Sequence, residues 1–591
     1  MRIPQIILLL ALTPHVFAAG SRTAFVIDHT EIKAQGYLTV AQVISQLPAL
    51  DIDSRFLADV NVWGYGRRPM VLLDGERFVA DLALSQELER IPLAIVERIE
   101  VFRQGEGARF GESATAGVIN IITREDYSAF ELNAGQRWTS GRRSVSEGIG
   151  SLAMHTDALD TQVGFVGTYL RGLDSDERYK TAMLTGQKDF GNRFSLRVRA
   201  DARDSVEYTP FDRTPDTAFG LDARLLGRFD SLETSIQFAA NYDESVGEAF
   251  STSDDLNYVL NAKVRSPETP VLGKNVDLTV GAEFDTQDFD NFLTSSLYSG
   301  ISVPISRQFR VDGWFRVSDS DRARDLLTSS RVTAHYAFDE NLETWISWKD
   351  SVVTPRIQQL AAQTGYNGEE IRGFEVGARY QWDLGDGASV EARAYDYDHR
   401  LQLVDVWEDP DFAESDDELC SFFEFCLANP DEGTRERLGP FEFPLRGIDL
   451  SASFRDDLGR FGRWESTLRT SWVDNDNVTV NNESTSLRAS LYTTWSKGQW
   501  SVSWLAKYQS SIDQTGGFGC VAFGGCPQFD ASLIHDVHVA YRLSRPDAVL
   551  RFGSHNAGRD ATSDSVVDGP FGSFVVEPPR VYFAELGFRF D

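Results

Sequence analysis

The chain predicts a mostly β protein: a transmembrane antiparallel β-barrel of about 22 strands, preceded by a small N-terminal α+β domain. Three observations carry this. From residue 127 onward, polar and apolar residues alternate at period two through many long stretches. No segment after the first 18 residues approaches the ~18 consecutive apolar residues of a helical membrane span. Glycine is frequent, at 47 residues, and aromatics reach 12%, which suits tight turns and interfacial aromatic girdles.

The leader comes first. MRIPQIILLLALTPHVFA carries one cation, Arg2, an apolar core near Ile6–Leu12, and small residues at Val16 and Ala18. That pattern predicts a signal peptide over residues 1–18, cleaved after Ala18. Composition then narrows the function classes. A formal charge of −32 excludes a nucleic-acid binder. H-E-x-x-H and G-x-S-x-G are both absent and the eight histidines are scattered, so no enzyme, metal centre or cofactor is expected.

The barrel strands follow from alternation. Phe194, Leu196, Val198, Ala200 and Ala202 alternate with Arg197, Arg199, Asp201 and Arg203. Val276, Leu278, Val280, Ala282 and Phe284 alternate with Asp277, Thr279 and Glu283. Trp500, Val502, Trp504, Ala506 and Tyr508 repeat the pattern. Period two places each set on one face of a strand. A soluble sandwich alternates too, but here the strands are many and long, and their polar face is heavily charged. A lipid-facing outside and a wet or filled lumen account for both.

The α+β domain is most legible between Met70 and Arg124. A strand (Met70–Leu73), an Asp74-Gly75 turn and a short return strand come first. A helical turn opened by Pro92, an edge strand (Arg98–Arg103), a glycine-rich loop and a last strand (Gly117–Thr123) follow. This order resembles the plug domain of TonB-dependent outer-membrane receptors, in which a LIDG hairpin precedes IERIEV, a small-residue loop and GGVINIIT. Leu73-Asp74-Gly75, Glu97-Arg98-Ile99-Glu100-Val101 and Gly117-Val118-Ile119-Asn120-Ile121-Ile122-Thr123 hold those places. The motif residues are therefore Asp74, Gly75, Glu97, Arg98, Glu100, Gly117 and Asn120. In the barrel, Thr354–Leu360 with Gly373–Tyr380, and the end strand Val581–Asp591 with Phe590 penultimate, are similar to family segments.

The resemblance implies a plug over residues 19–126 inside a barrel over 127–591, sited in the outer membrane of a Gram-negative cell and facing its lipid. It further implies a monomer, a small-molecule solute such as a metal chelate or oligosaccharide, and a TonB-type energy transducer as partner. In the family, the transducer pairs with a segment upstream of the plug. Only Ala19, Gly20, Ser21 and Arg22 lie between the cleavage point and Thr23–Asp28, which matches the plug's own first strand. No separate coupling box is visible. A degenerate one overlapping Ser21–Ile27, a start codon further upstream, and lost coupling all stay open. Energised uptake leads; a plugged barrel that binds passively at the surface is the alternative.

Parity supports the barrel. With the plug at the periplasmic end, even-to-odd connections face the periplasm and come out short, as at Asp189–Arg193, Ser306–Gln308, Phe338–Leu342, Ser496–Gln499 and Ser544–Asp547. Odd-to-even connections are long, as at Val353–Glu369, Asp405–Phe441, Ser510–Gln528 and Asn556–Pro579. Both close cysteine pairs, Cys420/Cys426 and Cys520/Cys526, fall in long connections. In an exported protein they read as two local disulfides, with zinc as the alternative.

Candidate contacts for the solute divide between plug and loops. Trp63, Tyr65, Arg67 and Arg68 form a tip at the plug apex or an ordinary glycine-rich turn. The connection Asp405–Leu438 holds twelve acidic residues against Arg435 and Arg437. Divalent ions bridging it to lipopolysaccharide, and a calcium site, are both open there. Trp407, Phe412, Phe422 and Phe423 interleave with those acids, where rings beside carboxylates suit a sugar or a cation. Arg98 and Glu100, on the edge strand, are expected to pair with barrel-wall charges. Gly105, Gly107 and Gly111 lack the Lys-Ser/Thr of a phosphate cradle and lead into a strand, so no nucleotide site is expected there.

Overall fold

The computed structural model describes residues 24–590 apart from 54–58, 63–68, 79–87, 125–129, 141–145, 173–177, 246–252, 354–368, 403–439, 475–485, 514–527, 558–565 and 576–579, and shorter stretches in other connections. A small sheet domain stands inside a closed barrel.

The inner domain, the plug, opens with β1 (Phe25–Asp28), whose alternation buries Phe25 and Ile27 and exposes Val26 and Asp28. Asp28 ends the strand and caps α1 (His29–Ala34), its carboxylate accepting the Glu31 N–H at 2.9 Å. Thr39 caps α2 (Val40–Ile44) in the same way. A two-stranded ribbon, β2 (Leu50–Asp53) with β3 (Asp59–Val62), precedes β4 (Met70–Leu73). The Asp74-Gly75 turn returns the chain as β5, only Glu76–Arg77. Pro92 opens a 3-10 turn at Leu93–Ile95, as expected, and leads into β6 (Val96–Phe102). The glycine-rich segment is not a plain loop: it contains a four-residue helix, α3 (Gly107–Phe110), and a 3-10 turn at Glu112–Ala116 before β7 (Val118–Thr123).

The sheet order is β1-β6-β7-β4-β5, with β4 parallel to β7. β6 therefore lies inside the sheet, not at its edge as the sequence suggested. β1 pairs with it from Phe25↔Val101 to Asp28↔Arg98 and takes the edge position. Ile27, Val43, Ile44, Ile99, Val101, Ile119 and Ile121 form a fully buried core in which the helices cover the sheet.

The barrel closes with 22 strands, from Phe130–Ser140 to Arg580–Phe590, and the last pairs antiparallel with the first. Counted in chain order, every neighbour is antiparallel. Among the described side chains, the strands for the most part present apolar residues outward and polar residues to the lumen. On the fifth strand (Phe194–Tyr208), Phe194 and Val198 are exposed while Asp201 and Arg203 are buried. An outward belt that also includes Phe219, Leu297 and Phe374 is what a lipid phase covers. Thr123 at the end of β7 and Phe130 at the start of the first strand put the plug's exit at the barrel end with the short turns, such as Phe190 to Phe194 and Lys497 to Trp500. By the architecture of such barrels this is the periplasmic end.

Candidate functional site: the seam between plug and wall

Near the short-turn end the motif residues converge. The carboxylate of Asp74 accepts the Thr123 N–H at 2.8 Å and is ion-paired with Arg199 of the fifth strand at 2.7 Å. The Gly75 N–H donates to Asn120 Oδ1 at 3.0 Å, and Asn120 Nδ2 donates to Glu100 Oε2 at 2.9 Å. Arg98 Nε donates to Glu100 at 2.7 Å. Arg98 and Glu100 thus pair with each other and with Asn120, two and three strands into the sheet, rather than with the wall. They line a cavity whose far side is the wall, and their bonds to each other and to Asn120 run along the face of the sheet. Glu97 sits half-buried at a register shift in the β6–β7 pairing, and the Gly117 carbonyl accepts the Met70 N–H at 3.0 Å. These residues hold the hairpin to the sheet.

Towards the long-connection end, plug and wall are joined by buried charges. Glu106, next to α3, meets Arg331 of the twelfth strand (Leu327–Ala337) at 2.5 Å and Lys349 of the thirteenth (Leu342–Val353) at 3.0 Å. Lys349 also reaches Glu375 of the fourteenth strand (Glu369–Trp382) at 3.0 Å, where Tyr397 donates a hydrogen bond at 3.1 Å. Arg103 pairs with Asp449 of the sixteenth strand (Pro440–Asp457), Nε to Oδ2 at 2.9 Å. The Gly107 N–H donates to Ser351 Oγ at 3.0 Å, and Thr115 hydrogen-bonds the same hydroxyl at 2.8 Å.

Other clamps ring the plug. Glu31 takes a bidentate contact from Arg469 at 2.7 Å, Arg90 meets Asp201 at 2.6 Å, and Tyr37 donates to Asp536 at 2.6 Å. Lys263 and Asp285 hold β5 through Glu76 and Arg77.

Electrostatics follow from these pairs. Burial pushes the Asp74 carboxyl up, but Arg199 and the Thr123 N–H overcome it and hold the group below the usual carboxylate range. Glu76 and Glu106 are held low against the same burial, by Lys263 and by Arg331 with Lys349. Burial lowers Arg109 to about 10 and His29 to about 4.

The apex residues Trp63, Tyr65, Arg67 and Arg68, the loop residues Trp407, Phe412, Phe422 and Phe423, and Cys420, Cys426, Cys520 and Cys526 lie outside the described residues. So do the leader, the acidic connection and Thr354–Leu360.

Residues 18–118 match the TonB-dependent receptor plug domain, and residues 119–557 match the TonB-dependent receptor-like β-barrel. The chain belongs to the TonB-dependent receptor family. As a TonB-dependent receptor it is 26% identical over 243 residues to the vitamin B12 transporter BtuB of Photobacterium profundum; the match covers 37% of this chain and 39% of that protein. Its fold is similar to the ferric citrate transporter FecA, with a TM-score of 0.75 at 14% identity and 96% of each chain covered. The siderophore receptor PirA of Pseudomonas aeruginosa superposes with a TM-score of 0.69 at 16% identity, covering 96% of this chain and 99% of that one. TonB-dependent receptors are receptors and transporters, not enzymes.

The sequence reading missed Arg103, Glu106, Arg331, Lys349 and Asp449 as a group. One signal was present: lumen-facing positions of predicted strands that carry a charge instead of Ser or Thr. Which of them meet the plug depends on barrel register.

Proposed function

We propose that this TonB-dependent receptor is an energised outer-membrane transporter that takes up a scarce solute too large for porins. The observation that carries it is the Glu106–Arg331–Lys349–Glu375 network. It is buried, spans plug and wall, and is repeated in kind by Arg103–Asp449, Glu31–Arg469 and Arg90–Asp201. Breaking one partner of such a buried pair costs about 3–5 kcal/mol, so several held at once keep the barrel shut against thermal motion. Opening then requires work from outside the barrel, which a TonB-type transducer pulling on the chain before β1 supplies. Ala24 donates to the Val101 carbonyl at 2.6 Å, so such a pull bears first on the β1–β6 edge of the sheet.

The relatives named for vitamin B12, ferric citrate and siderophores support a metal-chelate solute ahead of an oligosaccharide. The test is uptake of labelled cobalamin and ferric chelates by cells that depend on this protein, with and without a protonophore. Energised uptake predicts accumulation that the protonophore abolishes while surface binding persists. Accumulation indifferent to the protonophore would overturn the proposal, and so would surface binding with no accumulation in energised cells.

A further inference from the structure

The short-turn rim of the wall is not uniform in charge. Elsewhere on the described wall, exposed cations are mostly matched: Arg372 meets Asp350 at 3.0 Å, Arg446 meets Asp396 at 3.1 Å and Lys180 meets Asp204 at 2.9 Å. Three successive short turns differ. They join the sixteenth strand to the seventeenth (Arg463–Asp474), the eighteenth (Leu487–Lys497) to the nineteenth (Trp500–Gln509), and the twentieth (Ser532–Ser544) to the twenty-first (Asp547–His555). Arg460, Arg463, Lys497 and Arg545 stand exposed there, and among the described residues none of the four makes an ion pair.

The turns themselves cause this. Gly459 and Gly498 take φ 58° and 61°, a left-handed backbone that closes each reversal within a few residues. So short a turn offers no return segment on which a flanking side chain can fold. The nearby carboxylates are also taken: Asp457 accepts the Gly459 N–H at 2.9 Å, and Asp547 holds Arg542 at 3.2 Å. Of the described carboxylates on these turns Asp456 alone is left, so the sector keeps a positive excess in a chain of formal charge −32.

Outward rings mark where the lipid begins. Trp464 is paired across strands with Trp495, and Trp500 with Lys497 and Tyr541, so all share the outer face. Their polar edges are tied to the turns: Trp495 Nε1 donates to the Phe461 carbonyl at 2.7 Å, and the Tyr541 hydroxyl donates to Gln499 at 2.5 Å. Amphipathic rings sit at the boundary between acyl chains and headgroups, which puts the four cations at headgroup depth. Arg460 lies over the exposed Phe461 ring at 4.7 Å. By contrast, the turn after the twelfth strand, where Phe338 is exposed, carries Asp339 and Glu340 and no cation.

We propose that this sector binds anionic phospholipid of the inner leaflet. Arg460 and Lys497 meet the phosphodiester, and Trp464 and Trp500 lie against the glycerol and upper acyl region. A phosphodiester whose headgroup carries no amine brings the uncompensated negative charge that these cations lack, and each cation near such a surface is worth about fivefold in binding. The assignment stands independently of the uptake reading.

The test uses the full chain in phosphatidylcholine vesicles, with spin-labelled phosphatidylglycerol as the probe and spin-labelled phosphatidylcholine as its reference. Electron paramagnetic resonance reads the fraction of each lipid held at the protein surface. A chain this acidic repels anionic lipid if its charge acts as a whole, so a preference is a local effect. The wild type is expected to prefer phosphatidylglycerol several-fold at low salt and to lose the preference at high salt. R460Q/K497Q is expected to lose most of it, and R460K/K497R to keep it. R193Q/R228Q removes the same charge from two exposed cations of other short turns, which alternation places on the lumen side beside Phe194 and Phe229, and is expected to leave the preference intact. Heat-modifiable gel migration reports that each barrel is folded. A folded wild type with no preference overturns the proposal, as does a preference that R460Q/K497Q retains or that R193Q/R228Q loses equally. Retention on peptidoglycan that R460Q/K497Q loses, with no lipid preference, would assign the sector to the cell wall and overturn it too.

Discussion

Glu106 divides its carboxylate between two cations of the barrel wall, Arg331 on one oxygen at 2.5 Å and Lys349 on the other at 3.0 Å. All three side chains are almost wholly buried, so neither cation has water as a substitute. Glu106→Gln removes the charge and keeps the shape. The docking of the 103–117 segment is expected to weaken by about 3–5 kcal/mol, because a buried cation is left uncompensated. Backbone hydrogen exchange of residues 103–117 checks this, with protection lost there and retained in the barrel strands.

Asp74 ties the hairpin turn to both β7 and the fifth strand. Asp74→Asn keeps an acceptor for the Thr123 N–H and loses the ion pair with Arg199. Protease nicking of the 74–77 hairpin is expected to rise, and Asp74→Ala, which loses both contacts, is expected to exceed it. Equal nicking in the two variants would show that the Arg199 pair does all the holding.

The plug's stability is expected to fall with acid in two phases. His29 has its folded value lowered from 6.5 to about 4 by burial, with Lys33 and Arg124 nearby. The unfolded chain therefore binds more protons between those values, and stability is lost as pH falls from 6.5 towards 4. Asp74, Glu76 and Glu106 are also depressed, so their contribution is present above the ordinary carboxylate range and is lost below it. Burial raises the Glu31 carboxyl against its Arg469 partner, so Glu31 acts in the opposite sense. Urea unfolding of the plug across this range, with His29→Gln expected to erase the first phase alone, makes the check.

Gly107 approaches the wall too closely for any side chain. A Cβ there would stand 2.2 Å from Ser351 Oγ and 2.9 Å from Thr115 Oγ1. Gly107→Ala is expected to destabilise plug docking by about 1–3 kcal/mol, as overpacking does. Ser351→Ala in the same chain is expected to recover part of it, measured by denaturation of the refolded protein in detergent.

The two cysteine pairs are expected to form local disulfides, Cys420–Cys426 and Cys520–Cys526. Peptide mass spectrometry before and after reduction reads this directly, and free thiols in the exported protein would refute it.

Much of the architecture was legible in the chain. Alternation at Phe194–Arg203 and Trp500–Tyr508, and the contrast of short and long connections, depend on local geometry: successive side chains on a strand must take opposite faces whatever surrounds it. The hairpin, the Pro92 turn and the last plug strand were visible for the same reason, since turn residues act on their own backbone. β6 was misplaced at the edge because a strand's neighbours are set by distant pairing. Only the addition of β1, some 70 residues earlier, turns it into an interior strand.

By itself the sequence determined the membrane-spanning β class, a strand count of about 22 and the presence of a plug, because those rest on period, turn chemistry and short motifs. Tertiary structure alone decided the seam. That Glu106 meets Arg331 and Lys349, that Arg103 meets Asp449, and that the tenth and eleventh strands (Phe292–Pro304 and Phe309–Ser320) face a cavity depend on how the plug is rotated within the closed barrel. A lumen-facing charge looks the same in sequence whether it meets water or a partner; only the barrel's register and the plug's orientation tell the two apart.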